Sequence, residues 1–325
     1  MTRSTVLVTG GAGFLGVNAA DHFAKQGWQV RLFDNLSRAG SDQNLVWIGA
    51  QHPSSVDFRG GDVRDSDVVT EAVRGVDAVL HLAAQVAVTT SLADPLGDFA
   101  INLTGTLHVL EAVRRGAPEA TVVFASTNKV YGELEDLDRA VTEDQPLDFR
   151  TPYGCSKGAA DQYVHDYGRS FGLRTVVLRQ SCIYGRHQNG SEDQGWVAHF
   201  VHSILAGRPL TIYGDGHQVR DLLDARDLCR LYELAVEPGG PAAGQVFNVG
   251  GGPSNARDLL QVIAAIEDAS GRKAEYEFAE VRPGDQRRYV SDLASVTSAL
   301  NWRPEIDVDA GLADMIAWAR SVVVT

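Results

Sequence analysis

The chain reads as an α/β fold: a doubly wound parallel sheet with a smaller, irregular C-terminal region. Short β-branched runs alternate with helical patterns up to about residue 180. Such alternation implies βαβ units, with helices covering both faces of a parallel sheet. A glycine-rich turn joins the first run to the first helix, and after Tyr184 the alternation loosens. One domain is therefore expected over residues 1–180 and a second region over 181–325, with segments interleaved with the first and no clean linker between them.

Thr5 to Thr9 is the first strand, and Asn18, Ala19, His22, Phe23 and Lys25 give the first helical period. Val30 to Phe33 and Val56 to Arg59 read as strands, with Asp65 to Arg74 helical behind them. Ala78 to Leu82 is the fourth strand, and Phe99 to Arg115 a long apolar-periodic helix. Thr121 to Ala125 is the fifth strand, Lys157 to Phe171 a helix and Thr175 to Leu178 the sixth strand. Beyond these, helices are expected at Trp196 to Ala206, Ala225 to Val236 and Ala256 to Ala269, and strands at Leu210 to Tyr213 and Gln245 to Val249.

The 325 residues suffice for a full core. A formal net charge of −13 argues against nucleic acid or an anionic membrane surface as partner. Cys155, Cys182 and Cys229 have neither disulfide-framework nor metal-like spacing, and no metal is expected. The N-terminal residues run straight into a strand without a signal-peptide pattern, and no apolar run reaches the ~18 residues of a membrane span. A cytoplasmic protein is expected.

Gly10-Gly-Ala-Gly13-Phe-Leu-Gly16 lies between strand and helix, where glycines permit a tight turn and close approach of a pyrophosphate to the helix N-terminus. Asp34, at the end of the second strand, suits the adenosine ribose hydroxyls and would repel a 2′-phosphate, favouring NAD over NADP. Arg38 nearby could equally pair with such a phosphate. Asp62, beyond the third strand, can meet the adenine edge or simply form a turn.

Tyr153 and Lys157 are four residues apart, on one face of a helix. Alone the pair is an ordinary surface pattern; downstream of a nucleotide loop it can remove a proton from an alcohol as hydride leaves the carbon. The lysine ammonium is expected to lower the phenol pKa by stabilising the tyrosinate. Ser126-Thr127 follows the fifth strand, at the carboxyl end where parallel sheets carry their sites.

With these residues in place, the chain resembles the extended short-chain dehydrogenase/reductases, Rossmann-fold enzymes of nucleotide sugars. Phe33-Asp-Asn-Leu-Ser-Arg38, Gln85-Val-Ala-Val-Thr-Thr-Ser91, Ser126-Thr-Asn-Lys-Val-Tyr-Gly132, Pro152-Tyr-Gly-Cys-Ser-Lys-Gly-Ala-Ala-Asp-Gln-Tyr163 and Asp193-Gln-Gly-Trp-Val197 are similar to the CDP-tyvelose (CDP-paratose) 2-epimerases within it. The resemblance implies an enzyme that retains NAD and inverts a sugar carbon by hydride removal and return through a keto intermediate. It implies Thr127, Tyr153 and Lys157 as catalytic residues. It also lays Phe14, Leu15, Asn35, Ser37, Val63, Leu82, Ala83, Ala84 and Gln85 along the cofactor. Related 4,6-dehydratases carry an Asp-Glu pair after the threonine; Asn128 and Lys129 stand there instead, which opposes elimination of water.

A nucleotide-diphosphate sugar is the implied substrate. Arg220 and Arg282 match diphosphate-binding positions of the superfamily, with Arg287 a further candidate; Asn128, Gln194 and Tyr213 are candidates for sugar or base contacts. Two departures bear on the sugar. Cys182 replaces the usual asparagine and gives no amide contact, and the loop from Glu133 to Arg150 is shorter than in the tyvelose enzymes. C4 epimerisation of a UDP-hexose or UDP-hexuronate remains open, as does, more remotely, a non-catalytic nucleotide-sensing protein. His81 reads as a core histidine, and His187, His199, His202 and His217 lack metal spacing. The helices Phe99 to Arg115 and Lys157 to Phe171 can either cover the sheet or pair in a homodimer or homotetramer.

Overall fold

The computed structural model describes residues 4–134, 138–282 and 285–323. In chain order its first half is β1 (Thr5–Thr9), α1 (Phe14–Lys25), β2 (Gln29–Asp34), α2 (Ser41–Gln51), β3 (Val56–Gly60), α3 (Ser66–Val73), β4 (Ala78–His81), α4 (Val88–Ala93), α5 (Pro95–Phe99), α6 (Gly105–Gly116), β5 (Thr121–Thr127), α7 (Thr151–Phe171) and β6 (Arg174–Gln180). The second half is β7 (Cys182–Tyr184), α8 (Trp196–Ala206), β8 (Leu210–Tyr213), β9 (Val219–Asp224), α9 (Ala225–Ala235), β10 (Val246–Val249), β11 (Ala256–Asp258), α10 (Leu259–Ser270), β12 (Tyr276–Ala279), β13 (Arg288–Tyr289), α11 (Ala294–Leu300) and α12 (Val308–Val323).

Seven strands make one sheet in the order β10-β6-β5-β4-β1-β2-β3, every pair parallel. Alternation along each strand builds two cores. Val6, Val8 and Leu80 pack with Phe23 of α1 and Tyr232 of α9 on one face; Leu7 and Val79 pack with Val109 of α6 and Val164 of α7 on the other. The seventh strand, β10, comes from the second half of the chain and pairs with β6. A third core joins α8, α10 and α12 beside the smaller sheets. No helix among the described residues is long and apolar enough to cross a membrane.

Three differences from the sequence reading have local causes. Helix α7 begins at Thr151, not Lys157: Pro152 is pre-set for the first turn, so Tyr153 is already helical. The expected helix from Phe99 is broken by a π-turn at Ala100–Thr104, where the Asn102 amide donates to Gln85 O and Asp98. The expected helix from Ala256 starts at Leu259, because Ala256–Asp258 pairs with β9 and Asp258 then forms a capping box with Gln261. Part of the loop noted for its length, residues 135–137, lies outside the described residues.

Candidate active site

The carboxyl ends of β1, β2, β4, β5 and β6 open on a cavity of about 600 Å³, which extends to β8, β9 and the segment before α8. Its position follows from the parallel sheet: strand ends and the helix N-termini behind them converge on one edge.

On one side lies the glycine turn. Gly10 has φ +67°, and a Cβ there would come 2.8 Å from Ala83 N; at Gly16 it would meet Gly10 O at 2.2 Å. No side chain caps α1 and no acid stands in its first turn, so its N–H groups stay available to an anion. Asp34 accepts hydrogen bonds from Ala12 N at 3.0 Å and Leu36 N at 2.7 Å, tying the turn to β2. Asn35 donates to Asp62 at 2.8 Å, and Arg64 holds the Asp62 carboxyl far below the usual range. Phe14, Leu15, Ser37, Arg38, Val63, Leu82, Ala83 and Ala84 also line this half. Gln85 does not: its amide donates to Ala87 O at 2.9 Å and Asp98 at 2.8 Å, and it acts behind the wall.

Thr127, Tyr153 and Lys157 meet at the centre, all buried. Burial pushes the Tyr153 phenol up to about 12, and the neighbouring Thr127 hydroxyl lowers it only in part. The expected help from lysine is absent among the protein's own groups. Lys157 donates to Ala125 O at 2.7 Å and lies over the Phe124 ring, and burial brings its ammonium down to about 7. In a dry site both groups are driven toward their neutral forms.

The other half holds the substrate candidates. Asn128 donates to Gln286 at 3.1 Å, which fixes its amide beside Thr127. Arg220 donates to Asp285 at 2.6 Å and to Gln286 O at 2.6 Å. Arg282 stacks on Tyr213, 3.7 Å from the ring centroid. Gln194 accepts from Arg38 across the cavity. Arg287, on the exposed face of its segment, is not brought to the cavity.

Several lining residues were not singled out from sequence as ligands. Lys129 faces Asp285 at 3.8 Å and is brought down to about 8, by burial and then by Arg220. Gln188 and Gln218 each carry a buried side-chain oxygen with no hydrogen-bond partner among the described residues. Glutamines isolated in sequence carry no signal of that kind. Cys182 also lines the cavity, its thiol pushed up to about 12 by burial, hence neutral. His81 is a core histidine: it bonds Thr9 at 2.7 Å and Thr106 at 3.0 Å, and burial holds it down to about 3.

Residues 6–250 match the model of the NAD dependent epimerase/dehydratase family. The chain is 41% identical to a CDP-paratose 2-epimerase of Salmonella typhi, over 98% of this chain and 99% of that one. Its fold is similar to a UDP-glucose 4-epimerase of Thermus thermophilus in complex with NAD, with a TM-score of 0.87 at 34% identity, covering 97% and 99% of the two chains. It is likewise similar to a UDP-glucuronic acid 4-epimerase of Bacillus cereus, in complex with UDP-glucuronic acid and NAD, with a TM-score of 0.88 at 27% identity, covering 98% and 99%.

Proposed function

The chain belongs to the NAD dependent epimerase/dehydratase family, and from that premise we propose that it is an NAD-dependent nucleotide-sugar epimerase acting most like the CDP-paratose 2-epimerase. One observation carries the reading: Thr127, Tyr153 and Lys157 converge in the same cavity as the uncapped start of α1, while Asn128 and Lys129 occupy the place of a dehydratase's acidic pair. The residues present fit NAD. Gly10, Gly13 and Gly16 permit the tight turn that leads into the uncapped start of α1, where a pyrophosphate would lie, Asp34 stands at the ribose position, and Lys157 lies beside Tyr153 where a nicotinamide ribose would be held.

NAD supplies the acceptor and donor of hydride. The Tyr153 phenolate takes the proton from the sugar hydroxyl and later returns it, with Thr127 orienting the oxygen and Asn128 holding a neighbouring hydroxyl. Inversion needs only that the planar ketosugar turn over before hydride returns. Arg220 and Arg282 suit the diphosphate, since guanidinium forks match phosphate oxygens. The buried trio excludes water from the reacting atoms.

A second reading, C4 epimerisation of a UDP-hexose or UDP-hexuronate, is favoured by the likeness to the two 4-epimerase structures. Incubation of the purified protein with CDP-, UDP-, GDP- and dTDP-sugars, with product NMR, separates the two: inversion at C2 of a CDP-sugar is expected, and inversion at C4 alone would overturn the preferred regiochemistry. We further place residues 1–180 as the NAD domain, with most of 181–325 holding the substrate. A cytoplasmic setting agrees with the free thiols of Cys155, Cys182 and Cys229. A homodimer or homotetramer through the helices of Phe99 to Arg115 and Lys157 to Phe171 agrees with the exposed Phe99, Tyr163 and Phe171, and light scattering would test it.

A further inference from the structure

The segment before α8 carries carboxylates onto the arginine proposed to hold the diphosphate. Arg282 Nη1 donates to Glu192 O at 2.8 Å, while the Glu192 and Asp193 carboxylates each approach the guanidinium at 3.4 Å. Tyr213, under the guanidinium, donates its hydroxyl to Glu192 at 2.5 Å. The next residue, Gln194, accepts from Arg38 beside the cofactor turn. Three consecutive residues thus span the cavity between its two halves, and two of them place negative charge where a substrate anion would lie.

We infer that Glu192 and Asp193 stand in for the diphosphate at Arg282, so that they compete with the nucleotide sugar and set its affinity. This rests on the reading of Arg282 as a diphosphate ligand. Both carboxylates are about half exposed and neither reaches hydrogen-bonding distance of the guanidinium, so their ion pairs are weak and replaceable. A diphosphate offers paired oxygens in the geometry the planar fork accepts and displaces them. A free sugar brings no charge and leaves them in place. Arg220 differs, because its contacts to Asp285 and Gln286 O are short and its side chain is buried.

The test is calorimetric titration of CDP and UDP into the full-length, NAD-loaded protein, wild type against Glu192→Gln and Asp193→Asn. Both substitutions keep side-chain size, and glutamine still accepts from Tyr213. Removing each charge is expected to tighten the nucleoside diphosphate roughly two- to fivefold, with NAD affinity as the control. The gain should vanish in an Arg282→Met background. A purely structural role predicts the opposite sign, weaker binding when a contact is lost. Unchanged or weaker diphosphate binding in both variants, or a gain that survives Arg282→Met, would overturn the competition while leaving the epimerase reading intact. Failure of both diphosphates to bind any of the proteins would overturn that reading as well.

Discussion

Lys157 lies over the face of Phe124, its Nζ 4.1 Å from the ring centroid, and donates to the carbonyl of Ala125 instead of reaching the hydroxyl of Tyr153. A buried ammonium held this way has a folded pKa of about 7 against an ordinary value of 10.5. Folding therefore favours the neutral amine, and its stability contribution is complete above about pH 10.5 and lost as pH falls toward 7. Lys157→Met should abolish turnover yet raise stability by on the order of 2 kcal/mol at pH 7, with the gain fading toward pH 10.5. Thermal melts at pH 6, 8 and 10 check this. A substitution that destabilises at every pH would mean that Asp161 and Asp98 hold the charge in place.

Tyr153 is pushed the other way, up to about 12. Oxidation of the sugar needs the phenolate, so the rate should climb with pH through the neutral range. Tyr153→Phe should lower kcat by about 10²–10⁴ and leave NAD bound, since the phenyl ring keeps its packing beside Thr127. Single-turnover reduction of NAD, followed by absorbance, reads the loss directly; wild-type turnover in the variant would end the assignment.

What could be read from sequence here was local. The strand, glycine turn and helix of residues 5–25 are contiguous, and Tyr153 and Lys157 share a helix. Pairings distant along the chain were not legible. Asp285 meets Arg220 across 65 positions, and β10 joins the sheet of the first half only once the chain has folded back. Gln85 shows the limit of motif matching: its neighbours Ala84 and Val86 line the cavity, but its amide turns away to Asp98. Arg287 is two positions from Asp285, which lines the cavity, yet its own side chain is exposed.

His81 should prove structural. Replacing it by Leu strands the hydroxyls of Thr9 and Thr106, both buried, and is expected to cost about 1–3 kcal/mol. In the wild type its neutral ring has a folded pKa of about 3, below the ordinary 6.5. Its contribution is thus complete above pH 6.5 and lost as pH falls toward 3. Denaturant melts of both proteins from pH 4 to 8 should converge at the acid end; parallel curves would count against a neutral buried histidine.

The absence of a carboxylate pair after Thr127 decides where solvent hydrogen can enter. A dehydratase must take a proton from carbon beside the carbonyl; here Asn128 is an amide fixed to Gln286, and Lys129, brought down to about 8, is turned toward Asp285. On the proposed function Tyr153 works on oxygen alone, so the inverted carbon would lose and regain its hydrogen as hydride without exchanging it with water. Product formed in deuterated buffer should carry essentially no deuterium at that carbon by NMR or mass spectrometry. Substantial label at the inverted centre would show that a base removes a carbon-bound proton, which makes Lys129 the first candidate. Lys129→Met would then separate the cases: it should leave the unlabelled product of hydride return unlabelled, whereas a proton-abstracting lysine would take the labelling away with it.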